Sequence, residues 1–150
     1  MRSPKGMGSL DKLSLVERTN KSGAPVARLI GFAVSEVADG RAVATLKAGP
    51  QHANPMGTLH GGILCDIADA AMGMAFASTL APEESFTTVE INMNFFRPVW
   101  KAAIRAEAKV VRRGKMLGYV ECEMKDEKGH LLAKASSTCL VLRGEKAEGR

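Results

Sequence analysis

Apolar positions along the chain follow two different rhythms. From 31 to 48 they alternate, Phe32-Ala-Val-Ser-Glu-Val-Ala and then Arg41-Ala-Val-Ala-Thr-Leu, about an Asp39-Gly40 pair. Alternation around Asp-Gly predicts a β-hairpin. Residues 60–80 instead form the one long helical pattern, apolar nearly all round, with Pro82 to stop it. Such a helix should be wrapped by other structure on most sides. Alternation returns at 87–96, 103–112, 118–126 and 130–142, broken by Pro98, Gly114 and Glu127-Lys128-Gly129. In the second of these, Ile104, Ala106, Ala108 and Val110 share one face, and Arg105, Glu107 and Lys109 the other. The charged face is expected to pair with Glu121 and Glu123 on a neighbouring strand. Before the hairpin, Leu10, Leu13 and Val16 suggest a short amphipathic helix, and 24–29 a further turn. Residues 49–59 read as a loop, marked by Pro50, Asn54-Pro55 and Gly57.

A hairpin, one buried helix, then strands on tight turns require antiparallel neighbours. One helix cannot cover both faces of a sheet, so the expectation is an α+β domain with the sheet curled around the helix. The sheet's other face then needs water or a partner. The boundaries are 1–24 for an N-terminal tail and short helix, 25–142 for the domain, and 143–150 for a polar tail.

Composition narrows the class. The chain has 150 residues, 45% hydrophobic, 25% charged and 5% aromatic, which fits one globular domain. Three unpaired cysteines suit a reducing compartment, and neither they nor His52, His60 and His130 have metal-ligand spacing. The apolar stretch 63–80 is interrupted by Asp66 and Asp69, unlike a membrane span, and no apolar leader follows the basic start. A cytoplasmic protein is expected. The net charge of +5 admits an anionic ligand, while one Trp and one Tyr argue against a nucleic-acid surface.

The candidate chemistry gathers where the helix begins. A helix starting near His60-Gly61-Gly62 presents unpaired N–H groups at its positive end, suited to a developing oxyanion. The same glycines also fit a plain loop-to-helix junction. Asp66 and Asp69 interrupt an apolar helix that carries no Lys or Arg to relieve them. A desolvated carboxylate there would have the raised pKa of a general base or nucleophile; facing solvent, it would be unremarked. Gly61 and Asp69 lie roughly 12 Å apart along the helix axis. If both act on one carbon, they must come from different chains across a symmetric interface. The Arg112-Arg113-Gly114-Lys115 cluster fits either a solvated turn or a phosphate contact.

In order and spacing, Asn54-Pro-x-Gly-x-Leu-His60-Gly61-Gly62, Asp69, the 88–98 segment through Arg97-Pro98, the Arg113-Gly114-Lys115 turn and the 133–141 strand resemble the hotdog-fold acyl-CoA thioesterases of the phenylacetic-acid-degradation type. The resemblance covers roughly 25–142. It implies a five- or six-stranded antiparallel sheet wrapped around one long helix, with dimers pairing into homotetramers. It also implies hydrolysis of acyl-CoA without metal or cofactor, CoA being part of the substrate. Gly61 N–H would polarise the carbonyl, and Asp69 of the neighbouring chain would act as base or nucleophile. His60 and Asn54 would position thioester and water, and Thr88 would assist the water. Gly62, Val89, Arg113, Gly114 and Lys115 would bind substrate, the last three taking the CoA phosphates. Asp66 stands where the family usually has a small or neutral residue, and Lys101 where glycine is common. The competing reading is a non-catalytic acyl-CoA sensor or carrier on the same fold.

Overall fold

The computed structural model describes residues 24–148. The expected helix at 10–16 lies outside them. Six strands form one antiparallel sheet around a long helix. In chain order they are helix α1 (Pro25–Ile30), strands β1 (Phe32–Ala38) and β2 (Arg41–Ala48), helix α2 (Gly61–Ala77), then β3 (Ser85–Phe95), β4 (Ala102–Arg113), β5 (Leu117–Lys125) and β6 (Leu131–Leu142). The sheet order is β1-β2-β4-β5-β6-β3, with every neighbour antiparallel. This is the hotdog architecture. The β1–β2 hairpin turns on Asp39 and Gly40, both at positive φ (47° and 77°), as a two-residue turn between right-twisted strands requires. Short one-turn helices at Pro50–His52 and Gly144–Ala147 lie in the loop and tail.

The core is the face of α2 turned to the sheet. Leu64, Ile67, Ala68, Ala71, Met72, Ala75 and Phe76 are buried there, opposite Leu46, Ile104, Ala106, Val120, Cys122, Met124 and Ala135. Each large side chain so buried contributes roughly 1.5–3 kcal/mol. The three alanines let the strands approach closely. Phe76 meets Phe86 edge to face, with ring centroids 5.4 Å apart. Gly118 is required beneath it, because a Cβ there would sit 2.0 Å from the Phe76 ring.

Four local expectations change. The helix ends at Ala77, not 80, because the Ser78 hydroxyl turns back to the Ala75 carbonyl and accepts the Gly40 N–H. It is covered on one side only: Gly62, Asp66 and Asp69 are exposed. The charged face of β4 is paired differently from expectation. Arg105 bonds Glu36 on β1 and Glu107 two residues along its own strand, while Glu123 and Glu121 bond Lys125 and Lys134. The registers explain this: Lys109 stands opposite Glu121 as expected, but Arg105 stands opposite Lys125 and Glu107 opposite Glu123. Finally, β3 does not alternate throughout. A bulge between Thr88 and Glu90 leaves Val89 as an extra residue, so Phe86 and Thr88 face inward before it and Ile91, Met93 and Phe95 after it. A second bulge, at Val111, turns Arg113 inward.

Among the described residues, no helix is long and apolar enough to cross a membrane.

Candidate active site

The start of α2 is fixed by the loop before it. His52, only 5% exposed, accepts the Gly49 N–H at Nδ1 (3.1 Å). Its Nε2–H therefore donates to the Ile30 carbonyl (2.7 Å), and its own carbonyl accepts the His60 N–H (2.9 Å). Asn54 closes the loop. Its Oδ1 accepts the Met56 and Thr58 N–H groups (2.9 and 3.2 Å), and its Nδ2 donates to the Thr58 hydroxyl (2.8 Å). Leu59 N–H then donates to Val99 O (2.6 Å), tying the loop to the segment between β3 and β4.

His60 is the N-cap. Its Nδ1 accepts the Gly62 N–H at 2.9 Å, which leaves the proton of a neutral ring on the outward Nε2. The Gly61 N–H has no partner among the described residues, and it points from the positive end of a 17-residue helix. Space is tight at both glycines. A Cβ on Gly61 would stand 3.0 Å from the Phe95 ring, and one on Gly62 3.0 Å from the His60 ring. A cleft of about 350 Å³ opens beside Gly61, lined by Leu59, Leu64, Phe95, Phe96, Arg97 and Val99. That is a volume suited to a small organic group.

Asp69 lies two turns further along α2, on the exposed side. Its pKa is raised, first by the protein packed behind it and then by the charge of Asp66 one turn back, while a hydrogen bond from the Thr88 hydroxyl holds it down. Solvent still reaches the carboxylate of a single chain. Burial, Asp66 and Asp69 likewise push up the Cys65 thiol, which argues against a cysteine nucleophile. Gly61 and Asp69, about 12 Å apart, do not meet within one chain.

The remaining candidates divide. Val89 sits exposed at the β3 bulge next to Thr88. Arg113 faces inward over Phe76, 5.3 Å from its ring centre, and donates to Glu84 (2.8 Å), Thr79 and the Gly114 carbonyl. Glu84 also takes Arg143 at 2.6 Å. Lys115 is exposed, with no side-chain partner among the described residues. No three potential metal ligands gather among those residues.

Two features lay beyond the sequence reading. The buried role of His52 had no signal other than its place in a Pro-bounded loop. Phe95 lining the cleft could be found only once the β3 bulge was known, because simple alternation does not set its facing.

Residues 56–133, just over half the chain, match the thioesterase superfamily. A Saccharolobus solfataricus protein provisionally named an esterase is 32% identical over 133 residues, covering 89% of this chain and 94% of its own. A Listeria monocytogenes protein named 1,4-dihydroxy-2-naphthoyl-CoA hydrolase is 29% identical, covering 78% of this chain and 95% of its own. The solved structure of the E. coli PaaI protein, from the phenylacetic acid degradation operon, has the same fold. It aligns with a TM-score of 0.80 at 22% identity, over 91% of this chain and 98% of that one. The family match over more than half the chain, and a relative above 30% identity along most of it, show the class: the chain belongs to the thioesterase superfamily. It is a thioester hydrolase.

Proposed function

We propose that the protein hydrolyses acyl-CoA thioesters with aryl or medium-chain acyl groups, at sites built between two copies of the chain. One observation carries this reading: α2 bears an unpartnered Gly61 N–H beside an apolar cleft and, about 12 Å along, a carboxylate of raised pKa on its open face. Neither group completes a site alone. The outer edge of β3 has no neighbouring strand among the described residues, and such an edge invites a second copy. Two-fold pairing would bring Asp69 of the partner subunit to the cleft of the first. Pairs would then associate as homotetramers.

In that site the thioester carbonyl oxygen accepts the Gly61 N–H at the positive end of α2, where negative charge develops during addition. The partner subunit's Asp69, ionised, either takes a proton from the attacking water or itself adds to the carbonyl carbon. Acting as base, that carboxyl group returns the proton to the sulfur as the carbon–sulfur bond breaks. Acting as nucleophile, it is left in a mixed anhydride when CoA departs as thiolate. Water then cleaves the anhydride to free acid and carboxylate, one of its two protons going to the CoA sulfur. Thr88 assists the water, and the outward Nε2–H of His60 orients the thioester. Asn54 acts by holding the loop that aims His60. Gly62 and Val89 flank the bound ester. The CoA phosphates are assigned to the 113–115 turn, where Lys115 supplies free charge and Arg113 holds the turn in shape. No cofactor takes part. The Listeria relative, named for an aromatic acyl-CoA, supports the aryl end of the substrate range.

The test is thiol release from acetyl-, hexanoyl-, lauroyl-, phenylacetyl- and benzoyl-CoA. Asp69→Asn should fold and bind ester while turning over at least ~100-fold more slowly. Unchanged turnover would remove Asp69 from the mechanism.

A further inference from the structure

At the β4–β5 turn two arginines converge on one carboxylate. Glu84, in the loop between α2 and β3, keeps only 9% of its side chain exposed. Its Oε2 accepts Arg113 Nη2 (2.8 Å), and its Oε1 accepts Arg143 Nη2 and Nε (2.6 and 3.1 Å). Arg143, just beyond the end of β6, reaches further, since the same Nη2 donates to the Lys115 carbonyl (2.7 Å). Arg113 Nη1 donates to the Gly114 carbonyl. The Gly114 N–H closes the turn on the Leu117 carbonyl (2.8 Å), so tightly that a Cβ at 114 would stand 2.7 Å from that oxygen.

These bonds fix which way two successive peptides face. The Gly114 carbonyl shares a peptide with the Lys115 N–H, and the Lys115 carbonyl shares the next with the Met116 N–H. Both peptides are trans, so each points its C=O and its N–H in opposite directions. With both carbonyls turned to guanidinium groups, both N–H groups face away from the arginine cluster. Neither N–H has a partner among the described residues, and Lys115 and Met116 are exposed. Adjacent outward amides in a turn make a concavity for an anion, and the Lys115 ammonium adds charge beside it. We propose that Arg143, with Glu84, is a positioning residue: by holding the Lys115 carbonyl inward, it turns the Lys115 and Met116 N–H groups out as main-chain donors to a phosphate of CoA. The proposal rests on the reading of the 113–115 turn as the seat of those phosphates. Arg113 and Arg143 themselves touch no phosphate, their guanidinium groups being taken up by Glu84 and the two carbonyls. Arginine suits this place because its planar fork reaches two acceptors at once.

The test follows the Lys115 and Met116 amide protons by NMR while CoA is added to the whole protein. In wild type both signals should move downfield, and pantetheine, which lacks the phosphates, should leave them in place. Dephospho-CoA, which keeps only the diphosphate, assigns the bound group: movement with it marks the diphosphate, movement with CoA alone the ribose phosphate, and either supports the proposal. Arg143→Ala frees the Lys115 peptide to turn. The downfield movement should then be lost, and the Kd for CoA should rise about tenfold or more, as for one lost hydrogen bond to a charged group. Arg143→Lys keeps the charge without the fork, so it should lose most of the movement too, and it carries the test if Arg143→Ala does not fold. The proposal is overturned if Arg143→Ala binds CoA as wild type does, or if Arg143→Lys restores wild-type binding, which would make the effect one of charge. It is also overturned if CoA moves neither amide in wild type while Lys115→Ala weakens binding, since the turn would then hold phosphate through the lysine alone. If pantetheine binds as tightly as CoA and Lys115→Ala changes nothing, the assignment of the phosphates to this turn falls, and the proposal with it.

Discussion

Replacing Gly61 with proline deletes the proposed oxyanion donor and leaves the helix its start. Gly61 is the first helical residue after the His60 cap. Proline is favoured there, since its ring presets φ and the missing N–H has no intrahelical partner to lose. His60 already holds an extended backbone (φ −63°, ψ 128°), the conformation a following proline demands. The steric cost is local. A Cβ at 61 meets the Phe95 ring at 3.0 Å, but Phe95 is 54% exposed and can swing outward. Gly61→Ala carries the same Cβ and keeps the N–H, so it measures the crowding by itself. We expect Gly61→Ala to lower kcat by about tenfold at most, equivalent to roughly 1.4 kcal/mol of displaced ring. Gly61→Pro should lower it by about 100- to 1000-fold, the usual effect of losing one oxyanion donor. Thiol release under saturating ester reads both, and melting temperatures within about 3 °C of wild type would confirm an intact fold. Equal turnover in the two variants would refute the donor role of Gly61.

The remaining predictions concern charge. Asp66 raises the pKa of Asp69, so Asp66→Asn should move the acid limb of kcat/KM to lower pH, by about half a unit at low salt and less at high salt; an unmoved limb would mean that Asp66 is decoupled from catalysis. Glu84 accepts the Ala81 N–H and both Arg113 and Arg143, which together hold its carboxyl below the ordinary range. Glu84→Gln should cost about 2 kcal/mol at neutral pH, or roughly 4–8 °C in melting temperature. Because the folded pKa is depressed, the wild-type advantage is present above the ordinary carboxylate range and disappears as pH falls through the folded value. A gap between the two proteins that persists in strong acid would contradict this.

The elements were legible in the sequence because each is written in one unbroken rhythm. Asp39-Gly40 marked its turn, the β4 run 104–110 showed its inner and outer faces, and the apolar stretch after His60 could only be a core helix. The placement of the candidate groups at the helix start was legible for a related reason: His60-Gly61-Gly62 and Asp69 lie on a single element whose geometry converts spacing to distance. Facts that depend on two strands at once were not legible. The bulges at Val89 and Val111 each slip the register by one residue, and nothing local announces them. Yet they decide that Thr88 reaches Asp69 and that Arg113 turns inward to Glu84. Charge pairing on the outer face failed for the same cause, since Arg105 had to be placed opposite Lys125 before its real partners could be named. His52 looked like any loop histidine until Ile30 and Gly49 closed around it.

The central claim is that each site takes its donor from one chain and its carboxylate from another. Mixing Gly61→Pro and Asp69→Asn subunits, after unfolding and reassembly together, tests it directly. Each variant alone should be nearly inactive. Random reassembly should yield mixed pairs with one intact site each, recovering about a quarter of wild-type thiol release. No recovery beyond the sum of the separate variants, with mixed pairs demonstrated by mass, would contradict the shared site.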